Sequence, residues 1–264
     1  MEGFKEYGFK IYKTRYFWLH LAKSDLKARF RRSKLGLLWQ VLQPLFLTII
    51  LSFIFSTLFN QPLGSYALYV LSGIVVWDLL QACVIGGGNC YINSEQYIRQ
   101  YNHPITIYSL RYAVLNMVTF LMELMALVVW VLFVSPENLI FAIITLPLTL
   151  IMYFPMIWGL TTISGYMSVK YRDYPQIMVL VMQMIYYVSP VFFKQEMFTT
   201  SVALTNLLKY NPVTHILNLI RCPFVYMTMP SLIDYIFVVC TNIVIVFCAF
   251  RINKNNEKKV IFYL

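Results

Sequence analysis

The stretch "RFRRSKLGLLWQVLQPLF" (residues 29–46) sets Arg29, Arg31, Arg32 and Lys34 directly against an apolar run, and beyond Lys34 no charged residue recurs until Asp78. Cations crowd the threshold of a segment that cannot hold them. A bilayer resolves the contradiction. About 20 consecutive apolar residues cross its hydrocarbon layer as a helix. Lys and Arg concentrate at the cytoplasmic ends of such crossings, where anionic lipid attracts each one by about 1 kcal/mol. The residues that follow, through Phe59, extend the apolar run to spanning length before Asn60-Gln61-Pro62 ends it.

Composition carries the same message across all 264 residues. Hydrophobic residues make up 59% and charged residues 12%, against about 45–50% and about 25% in soluble domains. A water-soluble core cannot bury that share. Beyond the first run, 37–59, further apolar stretches lie at about 66–88, 107–134, 139–169 (interrupted by Pro147 and Pro155), 177–193 and 232–250. Helices and closed barrels are the structures that satisfy backbone polar groups in lipid. The period-2 alternation of barrel strands is missing. The expected fold is all-α and integral to the membrane, with six transmembrane helices in residues 35–250, an N-terminal segment 1–34 and a cytoplasmic tail 251–264.

With both termini in the cytoplasm, eighteen of the 21 Lys and Arg fall on the inner side, leaving Lys194, Lys209 and Arg221 outside. That asymmetry fixes orientation. Upstream of the first span, Phe4, Tyr7, Ile11, Trp18, Ala22 and Leu26 recur at helical spacing with lysines between them, the pattern of an amphipathic helix lying in the interface. Between the second and third spans, "YINSEQYIRQYNHP" (91–104) reads as a short cytoplasmic helix. Asn93 and Gln96 are spaced as a capping pair, and Pro104 is the stop. Exposed Tyr97, Ile98 and Tyr101 around Glu95 and Arg99 suit a docking surface; a plain connector is the other reading. Residues 194–230 hold apolar pieces too short to span, broken by Pro212, Pro223 and Pro230, as in re-entrant or interfacial helices.

Catalytic signatures are missing. No G-x-x-x-x-G-K-[ST] occurs, and "VIGGGNC" (84–90) has glycines without the lysine that a phosphate loop needs. Those glycines suit close helix contact or a bend. His20, His103 and His215 stand in separate segments without carboxylate companions, so no metal is expected. The five cysteines lack paired or metal-type spacing and read as small buried hydrophobes. The first 34 residues lack a signal-peptide core.

Two acids interrupt the spans. Asp78 and Glu123 each cost about 2.5–3.5 kcal/mol inside a membrane and face protein or water rather than lipid. A cation or proton relay and simple structural hydrogen bonding both accommodate them. Rings accompany them on the first and fifth spans: Trp39, Phe46, Phe53 and Phe59 keep broadly to one face, and Tyr186, Tyr187, Phe192 and Phe193 crowd one end. Such rings stack on the C–H faces of sugars, and equally on lipid and on one another.

Three phrases now stand in order: "DLKARFRRSKLGLLWQVLQPL" (25–45), "KYRDYPQIMVLVMQMIYYVSPVFF" (170–193) and "YNPVTHILNLIR" (210–221). Together they resemble the permease subunits of ABC transporters that export lipid-linked polysaccharides: O-antigen, capsule and wall teichoic acid. The matching residues are Asp25, Leu26, Arg29, Phe30, Arg31, Ser33, Leu35, Gly36 and Trp39; Arg172 and Asp173; Ser189 and Pro190; Asn211, Pro212 and Arg221.

The resemblance implies a non-enzymatic transport subunit in the bacterial inner membrane. It would be a homodimer bound to two copies of a separate cytoplasmic ATPase that carries the ATP and Mg, with no cofactor of its own and no nucleic-acid partner. Glu95, Gln96, Tyr97, Ile98, Arg99 and Tyr101 would form the coupling helix, with Arg172 and Asp173 nearby. Arg29, Arg31, Arg32 and Lys34 would meet lipid headgroups or the phosphates of an undecaprenyl pyrophosphate-linked glycan. The span-one and span-five rings would line the path, and Asn211, Pro212 and Arg221 would belong to an outer gate. A permease for drugs or small lipids, and a membrane enzyme acting on lipid-linked sugars, are the alternatives.

Overall fold

Backbone amides find no water in hydrocarbon, so a chain this apolar closes its hydrogen bonds locally. In the computed structural model, which describes residues 4–30, 34–101, 103–194 and 202–264, every regular element is helical. These are α1 (Phe4–Lys13), α2 (Arg15–Phe30), α3 (Leu38–Leu58), α4 (Leu63–Gln81), α5 (Glu95–Gln100), α6 (Thr106–Val134), α7 (Asn138–Lys170), α8 (Tyr174–Val188), α9 (Val202–Tyr210), α10 (Pro212–Val225) and α11 (Leu232–Tyr263).

Five helical stretches are long and apolar enough to cross a membrane: Leu38–Leu58, Leu63–Asn89, Thr106–Val134, Asn138–Lys170 and Leu232–Glu257. All five answer to expected spans, and α7 carries Pro147 and Pro155 without a break over its 33 residues. The expected crossing at 177–193 differs. Its helix, α8, has 15 residues, about 22 Å at 1.5 Å per residue, against about 30 Å of hydrocarbon. The cause is Pro190. A proline pushes the residue before it out of the helical region, and Ser189 is extended at φ −98°, ψ 147°. The apolar run continues through Phe193, but the helix does not.

α4 is the central helix. From Tyr66 to Trp77 every residue is buried, packed by α3, α6 and α10. α3 shows the opposite character. It buries Pro44, Thr48, Ser52 and Ser56, spaced four apart so that one narrow face of small side chains lets the backbones approach. Many of its other apolar side chains, Phe46 and Phe53 among them, face outward, while Leu45, Leu51 and Phe55 are partly buried. α10, far too short to span, lies inside the bundle against α4, α7 and α11.

The glycine run after α4 both bends and packs. Ala82–Gly86 is a π turn and Gly87–Asn89 a 3₁₀ turn. A methyl at Gly87 would press on Thr161, and one at Gly88 on Ser168, both on α7. The expected tail at 251–264 is instead the end of α11. Glu257 there accepts a hydrogen bond from the Ile105 amide at the start of α6 (3.0 Å), a carboxylate at the positive end of a helix.

The single N-terminal helix expected before residue 34 is two helices, turning at Thr14, whose hydroxyl bonds the carbonyls of Lys10 and Ile11. α2 packs along α6. Its apolar face (Leu21 and Ala22 buried) therefore meets protein.

Candidate functional site

One end of the bundle is built around Arg111, on the first turns of α6. Only 9% of its side chain is exposed, and its guanidinium makes a two-pronged ion pair with Asp25 of α2. It also donates to the Ser94 hydroxyl (3.5 Å) and lies 5.9 Å from the Tyr97 ring. A planar fork holding a carboxylate with both prongs fixes orientation as well as distance. Nearby, Phe17 of α2 packs its ring against Tyr97, Tyr101 and His103 at 5.2–6.1 Å. The N-terminal helix, the start of α6 and the short helix α5 are thereby fastened together.

α5 is the short helix expected within 91–104, with changes of detail. Glu95 and Arg99 pair across one turn at 2.8 Å. Gln96, Arg99 and Gln100 are exposed, and Tyr101 is half exposed, stacked on His103. Ile98 is not part of the exposed set: it is 6% exposed and packs against Tyr108 and Ile105. Tyr97 is half-buried against α2. Asn93 caps nothing; its amide donates to the Tyr112 hydroxyl (2.6 Å), and Ser94 is the residue at the helix start.

Arg172 and Asp173 are exposed in the turn between α7 and α8. Lys34 is exposed as well. Arg31 and Arg32 lie outside the described residues, as does the side chain of Arg29.

The opposite end is built around Arg221, on α10, which is 1% exposed. Its guanidinium donates to the carbonyls of Pro190 (2.8 Å) and Val191 (3.1 Å), and sits 3.7 Å above the Tyr69 ring. Tyr69 donates to the Phe193 carbonyl (2.7 Å), and Tyr66 donates to the Phe192 carbonyl. Asn211 accepts from the Val213 amide at the start of α10 and donates to the Ser189 hydroxyl (2.9 Å). Pro212 takes the first helical position, where its missing N–H costs nothing. The Ser-Pro, Asn-Pro and Arg phrases that stood 32 residues apart in the chain thus meet at one point. Gly73 completes it, since a methyl there would collide with the Val191 carbonyl and Arg221.

Rings continue from this point. Phe192 contacts Phe55 (5.2 Å), Tyr186 (5.8 Å) and Phe193 (5.3 Å), and Tyr186 contacts Trp77 (5.2 Å) and Tyr187 (5.6 Å). Phe59 leans on Phe55 and Tyr66. The expected rings do not form one lining. Phe59, Tyr186, Phe192 and Phe193 belong to this packed cluster, with Tyr187 exposed at its margin, while Trp39, Phe46 and Phe53 are exposed on α3.

Tyr66 and Tyr69 carry no signal in the sequence that separates them from ordinary span residues. The Asp25–Arg111 pair is equally unmarked there, although Asp25 is the one acid in the phrase before span one. The expectation that no histidine has a carboxylate companion is corrected at His215. Its Nδ1 lies 2.7 Å from Asp234, which also accepts from Asn218 (3.0 Å), while its Nε2 faces the Lys209 carbonyl. That bridge ties α10 to α9 and α11. Asp78 and Glu123 both face one cavity between α3, α4 and α6.

A family model described as ABC-2 type transporter matches residues 16–225. Among curated proteins, the chain is 22% identical over 193 residues to an O-antigen export system permease protein RfbA of Klebsiella pneumoniae, covering 73% of this chain and 74% of that protein. It is 19% identical over 250 residues to the protein of the same name from Myxococcus xanthus, covering 95% and 96%. The matched residues take in α2, α5, the Ser189–Asn211 contact and Arg221, so both ends of the bundle fall within them. The chain belongs to the ABC-2 type transporter family of membrane proteins.

Proposed function

We propose that this chain is the permease subunit of an ATP-driven exporter that carries a lipid-linked surface glycan of the O-antigen type across the inner membrane. Two copies work with two copies of a separate ATPase, and both termini face the cytoplasm. α8 and the residues after it, through Phe193, complete a sixth crossing. α1 and α2 lie in the cytoplasmic interface.

The observation that carries this reading is the construction around α5. A two-turn helix presents Gln96, Arg99 and Gln100 outward while its other face is fastened by Arg111, Asp25 and Phe17. Such a part suits the transmission of a push. Nucleotide binding in the ATPase moves α5, and α2 and α6 move with it because the ion pair and the rings link them. This is a rigid-body switch biased by a ligand on another subunit. Substrate phosphates meet Lys34 and the arginines before it, whose planar donors bind oxyanions in pairs. The names of the curated relatives support a glycan cargo.

The test is co-expression with the ATPase encoded beside it, purification in lipid nanodiscs, and ATP hydrolysis measured with and without Gln96→Glu plus Arg99→Glu. A stable complex whose assembly or coupled hydrolysis is lost in the double variant upholds the reading. A chain that binds no ATPase sinks it. A complex that transports a drug or small lipid and leaves cellular O-antigen untouched overturns the cargo.

A further inference from the structure

We infer that the cavity between α3, α4 and α6 is a binding site for a sugar ring. The inference rests on the exporter reading and names a subsite for the carbohydrate part of its cargo. The cavity holds about 320 Å³, the size of a small-molecule pocket (about 300–1,000 Å³) and room for roughly ten waters at about 30 Å³ each.

Three helices converge polar groups on it. Gln40 and Gln43 come from the first turns of α3, Asp78 and Gln81 from the end of α4, and Thr119 and Glu123 from α6. Polar side chains among membrane helices are costly unless they meet partners; Thr119 donates to the Asn116 carbonyl, while Gln40, Gln43, Asp78 and Gln81 face the space and call for an occupant able to answer them. Amides offer donors and an acceptor in one plane, and carboxyl groups offer two oxygens. Adjacent hydroxyls on a sugar ring each donate and accept, which matches such a set. Pro44 and Phe120 complete the wall with apolar surface suited to the ring's C–H face.

The backbone supplies a separate indication. α4 stops being a regular helix where it borders the cavity: Ala82, Ile85 and Gly86, all lining it, belong to the π turn. π turns inside helices are rare and recur at functional sites. Gly86 differs from its neighbours Gly87 and Gly88, because a Cβ there would meet no atom within 4 Å. Packing therefore does not demand a glycine at 86, and a side chain placed there enters the space. A metal occupant fits less well, since no group of three or more His, Cys, Asp or Glu with metal-holding geometry occurs among the described residues. The larger cavity at the other end, between α8, α9 and α10, is walled mainly by apolar side chains such as Met184, Ile185, Val188 and Leu207, with Asn206 and Asn211 but no carboxyl group.

The experiment uses the full chain in lipid nanodiscs and follows carbodiimide labelling of Asp78 and Glu123 by mass spectrometry. The probes are free glucose, N-acetylglucosamine and rhamnose, with NaCl and MgCl₂ as separate arms. One or more sugars should slow labelling of both carboxyls saturably, and the salts should not. Gln43→Leu, at an exposed position that tolerates the change, should weaken the protecting sugar about tenfold, the equivalent of one lost hydrogen bond of about 1.4 kcal/mol. Gly86→Leu should remove the protection by filling the space, in protein that still elutes as a single species. No protection by any sugar, protection by the salts instead, or protection unchanged in both folded variants each overturns the site. The ATPase complex is read separately. Coupled hydrolysis and glycan export without sugar protection sink the site and leave the exporter reading; sugar protection in a chain that binds no ATPase does the reverse.

Discussion

Arg221 and Asp78 each place an ionisable side chain among apolar helices, and the bundle treats them in opposite ways. Arg221 is enclosed: two carbonyls, the Tyr69 ring and the α4 backbone at Gly73 leave it 1% exposed. Asp78 borders a cavity, in company with Gln40, Gln43, Gln81 and Glu123. One end of the molecule answers a charge with its own atoms. The other surrounds its acids with further hydrogen-bonding groups and leaves room. A charge answered by protein fixes a shape, whereas one facing a space is available to something that arrives.

The sharpest way to break this comparison is to remove both groups and measure the same quantity. Arg221→Leu strands the carbonyls of Pro190 and Val191 and should lower stability by about 3 kcal/mol, since a buried polar group left unpaired costs about 1–3 kcal/mol. Asp78→Asn keeps the shape of the cavity wall and should cost less than about 1 kcal/mol. Thermal unfolding of purified protein in detergent reads both. Equal losses would erase the distinction between the two ends.

The Asp25–Arg111 pair comes next, because it is an enclosed charge at the end of the bundle away from Arg221. Asp25→Asn leaves a nearly buried guanidinium short of its counter-charge and should cost about 2 kcal/mol. The loss should be local, with faster tryptic cleavage at Lys23 and Lys27 in α2. Exchanging the two residues should restore part of the protection. Tyr66→Phe is smaller still. It deletes the hydrogen bond to the Phe192 carbonyl and should cost about 1 kcal/mol, with the nearby rings still in contact by near-ultraviolet circular dichroism. Smallest is Arg99→Ala. Its pair with Glu95 is exposed and worth less than about 0.5 kcal/mol, so melting should not move, while coupling to an ATPase should fall. A large stability loss there would mean that α5 is held by its outer face and not by Arg111.

What the sequence disclosed divides along physical lines. Apolar runs were legible because lipid imposes one solution on them, which is why α3, α4, α6, α7 and α11 fall where hydropathy places them. Proline was harder to read. Pro147 and Pro155 sit within a continuous α7, while Pro190 ends α8, and nothing in the surrounding apolar letters separates the two outcomes. The difference is tertiary: the carbonyls released near Pro190 are taken up by Arg221, Tyr66 and Tyr69. At α5 the six residues are too few for periodicity to say which face is inward, so Ile98 was misplaced as exposed. The pairing of Asp25 with Arg111 spans 86 positions and has no local signature at all. The order of the three quoted phrases was legible; the meeting of the second and third at Arg221 needed the fold.

The bond from the Ile105 amide to Glu257 joins positions 152 apart, and it has a consequence in time. A ribosome adds about 5–20 residues per second, so the start of α6 waits roughly 8–30 s for its carboxylate to be made. Over that interval Arg111 already has Asp25 to hold it, but the Ile105 amide at the start of α6 lacks the carboxylate it bonds in the folded chain. Whatever inserts this protein must hold that end, or let water hold it, until α11 arrives.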